Sequence, residues 1–253
     1  MDILEKKWRI KTLLLCNILA LLIISSWLYG PTRVLWDRLD AGLFYLLNGS
    51  LSIGPVWRAW WAIANWRPFD LIAGGVLLFF VVRWLKAAPV GELKTRMAAF
   101  FMFVLVVLAT NLTFQLILQS LEYTRISPSG VLQGAIRLQH EVSWINTKDY
   151  SGHSFPADHA FVLIAATLFF WTLGSGSMGR LCAVLFSPFL IPRLVSGGHW
   201  LTDILIGSSI MALVALSWWF ATPAHTIATR WVARVLDRPL SWGESVLKHL
   251  NIV

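Results

Sequence analysis

Hydrophobic residues along the chain fall into long blocks that short polar segments separate. A helix needs about 20 apolar residues to cross a bilayer, and six blocks approach that length. We predict spans at Leu13–Tyr29, Leu71–Trp84, Met97–Leu121, His159–Leu173, Leu181–Leu194 and Ile204–Phe220. The apolar, Trp-rich stretch Leu51–Trp66 contains Arg58 and turn residues, which favours an interfacial location. The pattern therefore predicts an all-α polytopic membrane protein with six transmembrane helices.

The composition supports a membrane protein and excludes a soluble domain. The 253 residues are 57% hydrophobic and 13% charged, whereas soluble domains carry about 25% charged residues. A net charge of +8 could suit nucleic acid, but in a membrane protein it indicates basic cytoplasmic loops, and no nucleic-acid partner is expected. Cys16 and Cys182 lie within predicted spans, so no disulfide framework is indicated.

The distribution of Lys and Arg predicts the orientation. A basic run, Lys6 to Lys11, precedes the first span, and no Ala-x-Ala cleavage site follows it, so an uncleaved helix with a cytoplasmic N-terminus is expected. Both termini are then cytoplasmic. We predict a catalytic domain at 1–223 and a basic amphipathic tail at 224–253, either on the inner leaflet or as a solvated helix. His225 in this tail is predicted at the surface.

Residues whose side chains could take part in catalysis form two clusters, which the predicted topology places on the same outer face of the membrane. The second cluster along the chain, 192–203, lies at the junction of the fifth and sixth predicted spans. Its His199 and Asp203 stand four residues apart, so on a helix they share one face. The carboxylate can hold one imidazole nitrogen and leave the other free as a nucleophile. Arg193 supplies a planar guanidinium suited to phosphate oxygens. An interfacial histidine with a capping aspartate is the simpler structural alternative.

The first cluster, 148–159, leads into the fourth predicted span. Pro156 suits the opening turn of a helix and Ser154 its cap, so His159 lies near a helix N-terminus, where an anion such as phosphate is favoured. A protonated His159 could donate a proton to a departing oxygen. Arg125 and Lys148 would offset the phosphate charge, although Lys148 could equally be a solvated loop residue.

These residues resemble the signature of the type-2 phosphatidic acid phosphatase superfamily of membrane lipid phosphatases and phosphotransferases. Its third part is Ser-Arg, five residues, His, three residues, Asp. Arg193, His199 and Asp203 match it in spacing, with Pro192 in place of the Ser. The resemblance implies the helical core of the type-2 phosphatidic acid phosphatases.

The other two parts of the signature match less fully. Pro-Ser-Gly-His becomes Pro156-Ala157-Asp158-His159 here, and the Lys, six residues, Arg-Pro part survives only as Arg125 and Pro128. The strings 65–70, 147–149, 154–159 and 198–204 are similar to one branch of the superfamily, the bacterial inner-membrane phosphotransferases that act on undecaprenyl pyrophosphate and lipid A.

The resemblance implies roles for individual residues. His199 would form a phosphohistidine with Asp203 orienting it, while His159 would protonate the leaving undecaprenyl phosphate and then act as a base. The cations that would hold the phosphate are Arg193, Arg125 and Lys148. We hypothesise that Asp158, which replaces a Gly of the signature, helps to discriminate a lipid acceptor from water.

The expected activity is transfer of the distal phosphate of undecaprenyl pyrophosphate to the 1-phosphate of lipid A, without metal or cofactor, on the periplasmic face of the inner membrane. The expected partners are these lipid substrates and bilayer lipids, and the sequence gives no indication of the oligomeric state. The closest alternative is a lipid pyrophosphate phosphatase, of undecaprenyl pyrophosphate or phosphatidylglycerophosphate type, that transfers the phosphate to water. A lipid transporter and a zinc enzyme are further alternatives, the candidate zinc ligands being His153, Asp158, His159, His199 and Asp203.

Overall fold

The computed structural model describes residues 7–235, and eight helices dominate this part of the chain. They are α1 (Ile10–Leu28), α2 (Gly30–Gly49), α3 (Pro55–Ala64), α4 (Arg67–Lys86), α5 (Leu93–Ser120), α6 (Asp158–Gly174), α7 (Gly176–Val195) and α8 (Asp203–Phe220). One-turn helices at Pro128–Val131 and Leu138–Glu141 lie in the long loop after α5. Residues 224–235 form a further helix after α8.

The all-helical polytopic fold class is confirmed, but the number of spans is not. Five helices, α1, α4, α5, α7 and α8, are long and apolar enough to cross a bilayer. Helix α6, the fourth predicted span, comprises residues 158–174. At 1.5 Å per residue it measures about 25 Å, less than the hydrocarbon thickness of about 30 Å.

Helix α2 is an element that the hydrophobic pattern does not predict. Its buried face includes two polar residues, Asp40 and Asn48, beside Phe44, while leucines such as Leu46 are exposed. The Asn48 amide donates to the carbonyls of Ile136 and Val195, both at 3.0 Å. The buried face therefore mixes polar and apolar residues, and charged residues such as Asp37 and Arg38 are exposed, so the sequence of this helix resembles a polar connecting segment.

An aromatic core packs α4, α5, α6 and α7 together. Phe169 lies at its centre, with ring centroids 4.5 Å from Phe103 and 5.1 Å from Trp84. The Trp84 indole also donates to the carbonyl of Leu173 at 2.9 Å. Close packing of large rings fixes the relative positions of these helices, and so of the polar residues at their ends.

The loop between α5 and α6 folds back on itself. Ser154 N donates to the carbonyl of Arg125 at 2.8 Å, and Ser127 N to that of Ser151 at 2.9 Å. The buried Asp149 carboxylate holds the Arg137 guanidinium through two contacts of 3.0 and 3.1 Å. These bonds hold the segment containing Lys148 and Ser154 in place.

The helix at 224–235 corrects one prediction about the tail. His225 is buried, and its ring lies 6.3 Å from that of Trp219 and 6.0 Å from that of Phe220. The sequence suggests a surface residue because these partners belong to the end of α8. Ile227 and Trp231 are exposed, and the rest of the predicted tail lies outside the described residues.

Candidate active site

A glycine turn between α7 and α8 positions His199. Gly197 has a φ of +74°, a conformation that favours glycine, and a Cβ there would lie 2.6 Å from the Phe44 ring. A Cβ on Gly198 would lie 2.7 Å from the carbonyl oxygen of Lys148. The two glycines therefore allow the two loops that hold the candidate site to approach each other closely.

The hydrogen bonds of His199 define which of its ring nitrogens is free. Nδ1 lies 2.8 Å from the carbonyl oxygen of Ser154 and 3.3 Å from Oδ2 of Asp203. A carbonyl oxygen only accepts hydrogen bonds, so Nδ1 carries the proton. In the neutral ring Nε2 then carries the lone pair, which is the state that a nucleophilic histidine requires.

Asp203 is fully buried and belongs to a network of charged and polar groups. Its Oδ1 accepts a bond of 2.5 Å from Arg125, and its Oδ2 accepts one of 2.9 Å from the backbone N–H of Trp200. The other end of the Arg125 guanidinium donates to Asp40 at 2.8 Å. Thr202 joins both, since its hydroxyl accepts from Arg125 and donates to Asp40.

This network occupies the Arg125 guanidinium, for which the sequence predicts a phosphate contact. Its two terminal nitrogens bind Asp203, Thr202 and Asp40, and the side chain does not line the cavity that contains His199. The structure thus gives no support for a phosphate contact by Arg125. The guanidinium lies between two buried carboxylates, Asp40 and Asp203, an arrangement that can hold Asp203 in one orientation.

Arg193 and Lys148 meet at a shared carboxylate. Arg193 is buried and donates to Asn65 Oδ1 at 2.6 Å and to both oxygens of Asp70 at 3.1 Å, while Lys148 Nζ contacts Asp70 at 2.7 Å. Arg67 lines the same cavity. Asp70, which is half-exposed in its side chain, occupies a place where a phosphate would find three cations.

Neither Arg67 nor Asp70 is among the site residues predicted from the sequence. Both belong to the string 65–70, and the similarity of that string to one branch of the superfamily is the sequence feature that could have indicated them. Their position at the beginning of α4, next to Arg193 on α7, follows only from the packing of the helices.

His159, in the first turn of α6, lies beside His199, with ring centroids 5.0 Å apart. Its Nε2 is buried and has no hydrogen-bond partner among residues 7–235. Asp158 accepts a 2.7 Å bond from the backbone N–H of His159 and also lines the cavity. The pair thus provides a titratable ring and a carboxylate next to the candidate nucleophile.

Three of the five candidate zinc ligands lie close together in the structure. Ligand atoms of Asp158, His159 and His199 lie within 4.8 Å of one another, which is a spacing that a metal ion could bridge. Asp203 is instead bound to Arg125, and His153 is not in the cluster. The nearby cations Arg193 and Lys148 would oppose a metal cation.

A cavity of about 1150 Å³ connects this polar cluster to the interior between α4, α5 and α6. At one end it is lined by His159, Arg193 and His199, and at the other by Leu77 and Ala166. The cavity can therefore hold a charged head group and part of an apolar chain together.

The comparisons with known proteins concern the same region. The PAP2 superfamily profile matches residues 124–227, which include His159, Arg193, His199 and Asp203. Over 214 residues the chain is 31% identical to lipid A 1-diphosphate synthase of Escherichia coli (strain K12), covering 83% of this chain and 87% of that protein. No solved structure shows a significant match.

Proposed function

The chain belongs to the PAP2 superfamily, and from this premise we propose that it moves the distal phosphate of undecaprenyl pyrophosphate to the 1-phosphate of lipid A. It is a membrane enzyme of the phosphatase and phosphotransferase superfamily. The observation that carries the proposed chemistry is the hydrogen bond from His199 Nδ1 to the Ser154 carbonyl, since it leaves Nε2 as a nucleophile. The name of the relative, lipid A 1-diphosphate synthase, supports lipid A as the acceptor, and the donor is taken from the resemblance to that branch of the superfamily.

In the first step Nε2 of His199 attacks the distal phosphorus of undecaprenyl pyrophosphate. A P–N bond forms, the bridging P–O bond breaks, and protonated His159 gives its proton to the leaving undecaprenyl phosphate. Asp203 stabilises the positive charge that develops on the imidazole ring. Arg193, together with the cations around Asp70, balances the charge on the transferred phosphoryl group.

In the second step the 1-phosphate of lipid A is the nucleophile. One of its oxygens attacks the phosphohistidine, the P–N bond breaks, and His159 takes up a proton from the acceptor. His199 returns to its neutral form with Nδ1 still bonded to Ser154. The products are undecaprenyl phosphate and lipid A 1-diphosphate.

The reaction, as proposed, needs no metal ion because Arg193, Lys148 and Arg67 supply positive charge next to the histidines. We expect turnover to persist after treatment with chelators. Loss of turnover in chelators, with recovery on adding zinc, would instead assign Asp158, His159 and His199 to a metal site.

Hydrolysis is the closest competing reaction, because water can attack the same phosphohistidine. Asp158 lines the cavity beside His159, which supports the hypothesis that it disfavours water as the acceptor. Asp158→Gly should then raise hydrolysis relative to transfer. An unchanged ratio of transfer to hydrolysis would remove this role.

The orientation is also a proposal: both termini in the cytoplasm of a bacterial inner membrane and the site on the periplasmic side. The basic residues Arg83 and Lys86 lie in the last turn of α4, whereas Arg67 and Asp70 at its beginning adjoin the site. Since Lys and Arg accumulate on the cytoplasmic side, this distribution supports a periplasmic site.

The direct test uses purified protein and undecaprenyl pyrophosphate labelled in its distal phosphate, with and without lipid A. Label on lipid A, absent with His199→Ala, is the expected result. Release of label only as free phosphate would establish the phosphatase alternative. Absence of turnover in both conditions would favour the transporter.

A further inference from the structure

Helix α5 presents three side-chain amides to the cavity. Asn111, Gln115 and Gln119 are spaced four residues apart, so they share one helix face, and all three line the cavity. We call this set the amide stripe. None of these residues belongs to the phosphoryl-transfer machinery described above.

The amide stripe descends from the polar end of the cavity into the membrane-spanning part of the protein. Gln119 is one residue from the end of α5, and Asn111 lies about 12 Å further along the helix axis at 1.5 Å per residue. The facing residues, Leu77 of α4 and Val162 of α6, are apolar. The cavity therefore has a polar wall and apolar walls at the same depth.

The stripe is largely unpaired within the described part of the chain. Within the stripe, Gln115 Nε2 donates a long bond of 3.4 Å to Asn111 Oδ1. The side-chain amide of Gln119 forms no hydrogen bond among residues 7–235. Each amide offers two donor hydrogens and an acceptor oxygen. Polar groups at membrane depth are costly without partners and are typical of functional surfaces.

The two lipid substrates differ in what they can offer these amides. A polyprenyl chain is a hydrocarbon with no donor or acceptor, so it gains nothing from a polar wall. An acyl lipid carries amide, ester and hydroxyl groups where its chains join the head group. These groups lie just below the phosphate, and the stripe lines the same cavity as His199 and Arg193, beginning one residue from the end of α5.

We propose that the amide stripe is the subsite for the acyl-lipid acceptor, whose amide, ester and hydroxyl groups hydrogen-bond to Asn111, Gln115 and Gln119. The polyprenyl donor lies along the apolar walls. This inference rests on the proposed function, because it assigns the two substrates of that reaction to different walls of one cavity.

The test is the double substitution Asn111→Leu and Gln115→Leu, with Thr113→Val as the matched control. Thr113 lies on the same helix and does not line the cavity. With lipid A as acceptor, we expect the double variant to raise the acceptor KM about tenfold, the effect of losing about 1.4 kcal/mol of hydrogen bonding. The rate at which the labelled donor phosphorylates the enzyme, measured without acceptor, should stay within about twofold of the unsubstituted protein.

An unchanged acceptor KM, or an equal loss in the donor reaction, would overturn the proposal. Failure of the proposed function has a different signature, namely no transfer to lipid A by the unsubstituted protein. In that event, the subsite is tested by equilibrium binding of an acyl-lipid monophosphate and of a polyprenyl phosphate to the His199→Ala protein, with and without the two substitutions. The substitutions should weaken binding of the acyl lipid alone, and equal effects on both lipids would overturn the subsite.

Discussion

At the scale of single residues, the charge arrangement around Asp203 sets the state of the candidate nucleophile. Two buried carboxylates, Asp203 and Asp40, share the guanidinium of Arg125. Removing one partner from a buried ionic network leaves an uncompensated charge, at a cost of about 3–5 kcal/mol. We therefore expect Arg125 to affect catalysis through Asp203, whereas Lys148 lines the cavity itself.

The corresponding prediction concerns Arg125→Leu. We expect a marked loss of thermal stability in detergent, partly restored when Asp40→Asn is added because one buried charge is removed. The kcat should fall more than tenfold while the donor KM changes little, since the side chain does not contact the cavity.

Lys148→Ala is the comparison for that experiment. It should raise the donor KM severalfold with little loss of stability, because its exposed ion pair contributes less than about 1 kcal/mol. If Arg125→Leu also acts mainly on the donor KM, the guanidinium contacts phosphate and the positioning role is wrong.

The site could be predicted from sequence only where its residues are local. Arg193, His199 and Asp203 fall within eleven positions, so fixed offsets reveal them. In the structure Arg193 and His199 line one end of the cavity with His159 and Lys148, and the buried Asp203 contacts His199. Asp40, by contrast, is 85 residues from Arg125. No spacing rule links these two residues, and the role of Arg125 is therefore visible only in the fold.

At the scale of elements, the turn before α8 is fixed by the lack of side chains at its glycines. Gly198→Ala would place a Cβ 2.7 Å from the Lys148 carbonyl, so the two loops must separate. We expect a loss of kcat/KM of at least about tenfold, since a misplacement of about 1 Å can cost a hundredfold.

Gly152→Ala is the matched control for this turn. Gly152 lies in the same loop as Lys148, and a Cβ there has no heavy atom within 4 Å. It should leave kcat/KM and the thermal unfolding temperature nearly unchanged. Equal activity of the Gly198 and Gly152 variants would show that the close approach of the loops is not needed for the reaction.

Helices α2 and α6 show where the hydrophobic pattern does not predict the helices or spans of this protein. In α2 the buried positions are Asp40, Phe44 and Asn48, so polar residues interrupt the apolar stripe by which an amphipathic helix is recognised. In α6 the residues are as apolar as expected, but the helix is too short for length alone to establish a span. The other five predicted spans overlap helices that are long and predominantly apolar, although polar residues such as Arg83, Asn111 and Arg193 lie within them.

At the scale of the whole molecule, the cavity between α4, α5 and α6 joins the polar site to the membrane-spanning region. Gly74 of α4 lines the cavity, and a Cβ there would meet no heavy atom within 4 Å. Gly74→Leu should therefore narrow the cavity without clashing. We expect a rise in KM for both lipid substrates with no loss of thermal stability.

The neighbouring Gly75→Leu provides the control, because Gly75 is exposed, has open space around it and does not line the cavity. Its effect on both KM values should be small. Equal effects of the two substitutions would mean that the cavity next to α4 does not accommodate substrate.

The central claim is that the phosphoryl group passes through Nε2 of His199, and trapping the intermediate tests it most directly. The protein is mixed with donor labelled in the distal phosphate, without acceptor, and quenched in alkali, where phosphohistidine survives. We expect label on His199 at Nε2, identified by mass spectrometry and ³¹P NMR, absent with His199→Ala and discharged when lipid A is added. Label on His159, an acid-stable phosphoester, or turnover by the His199→Ala protein would contradict it.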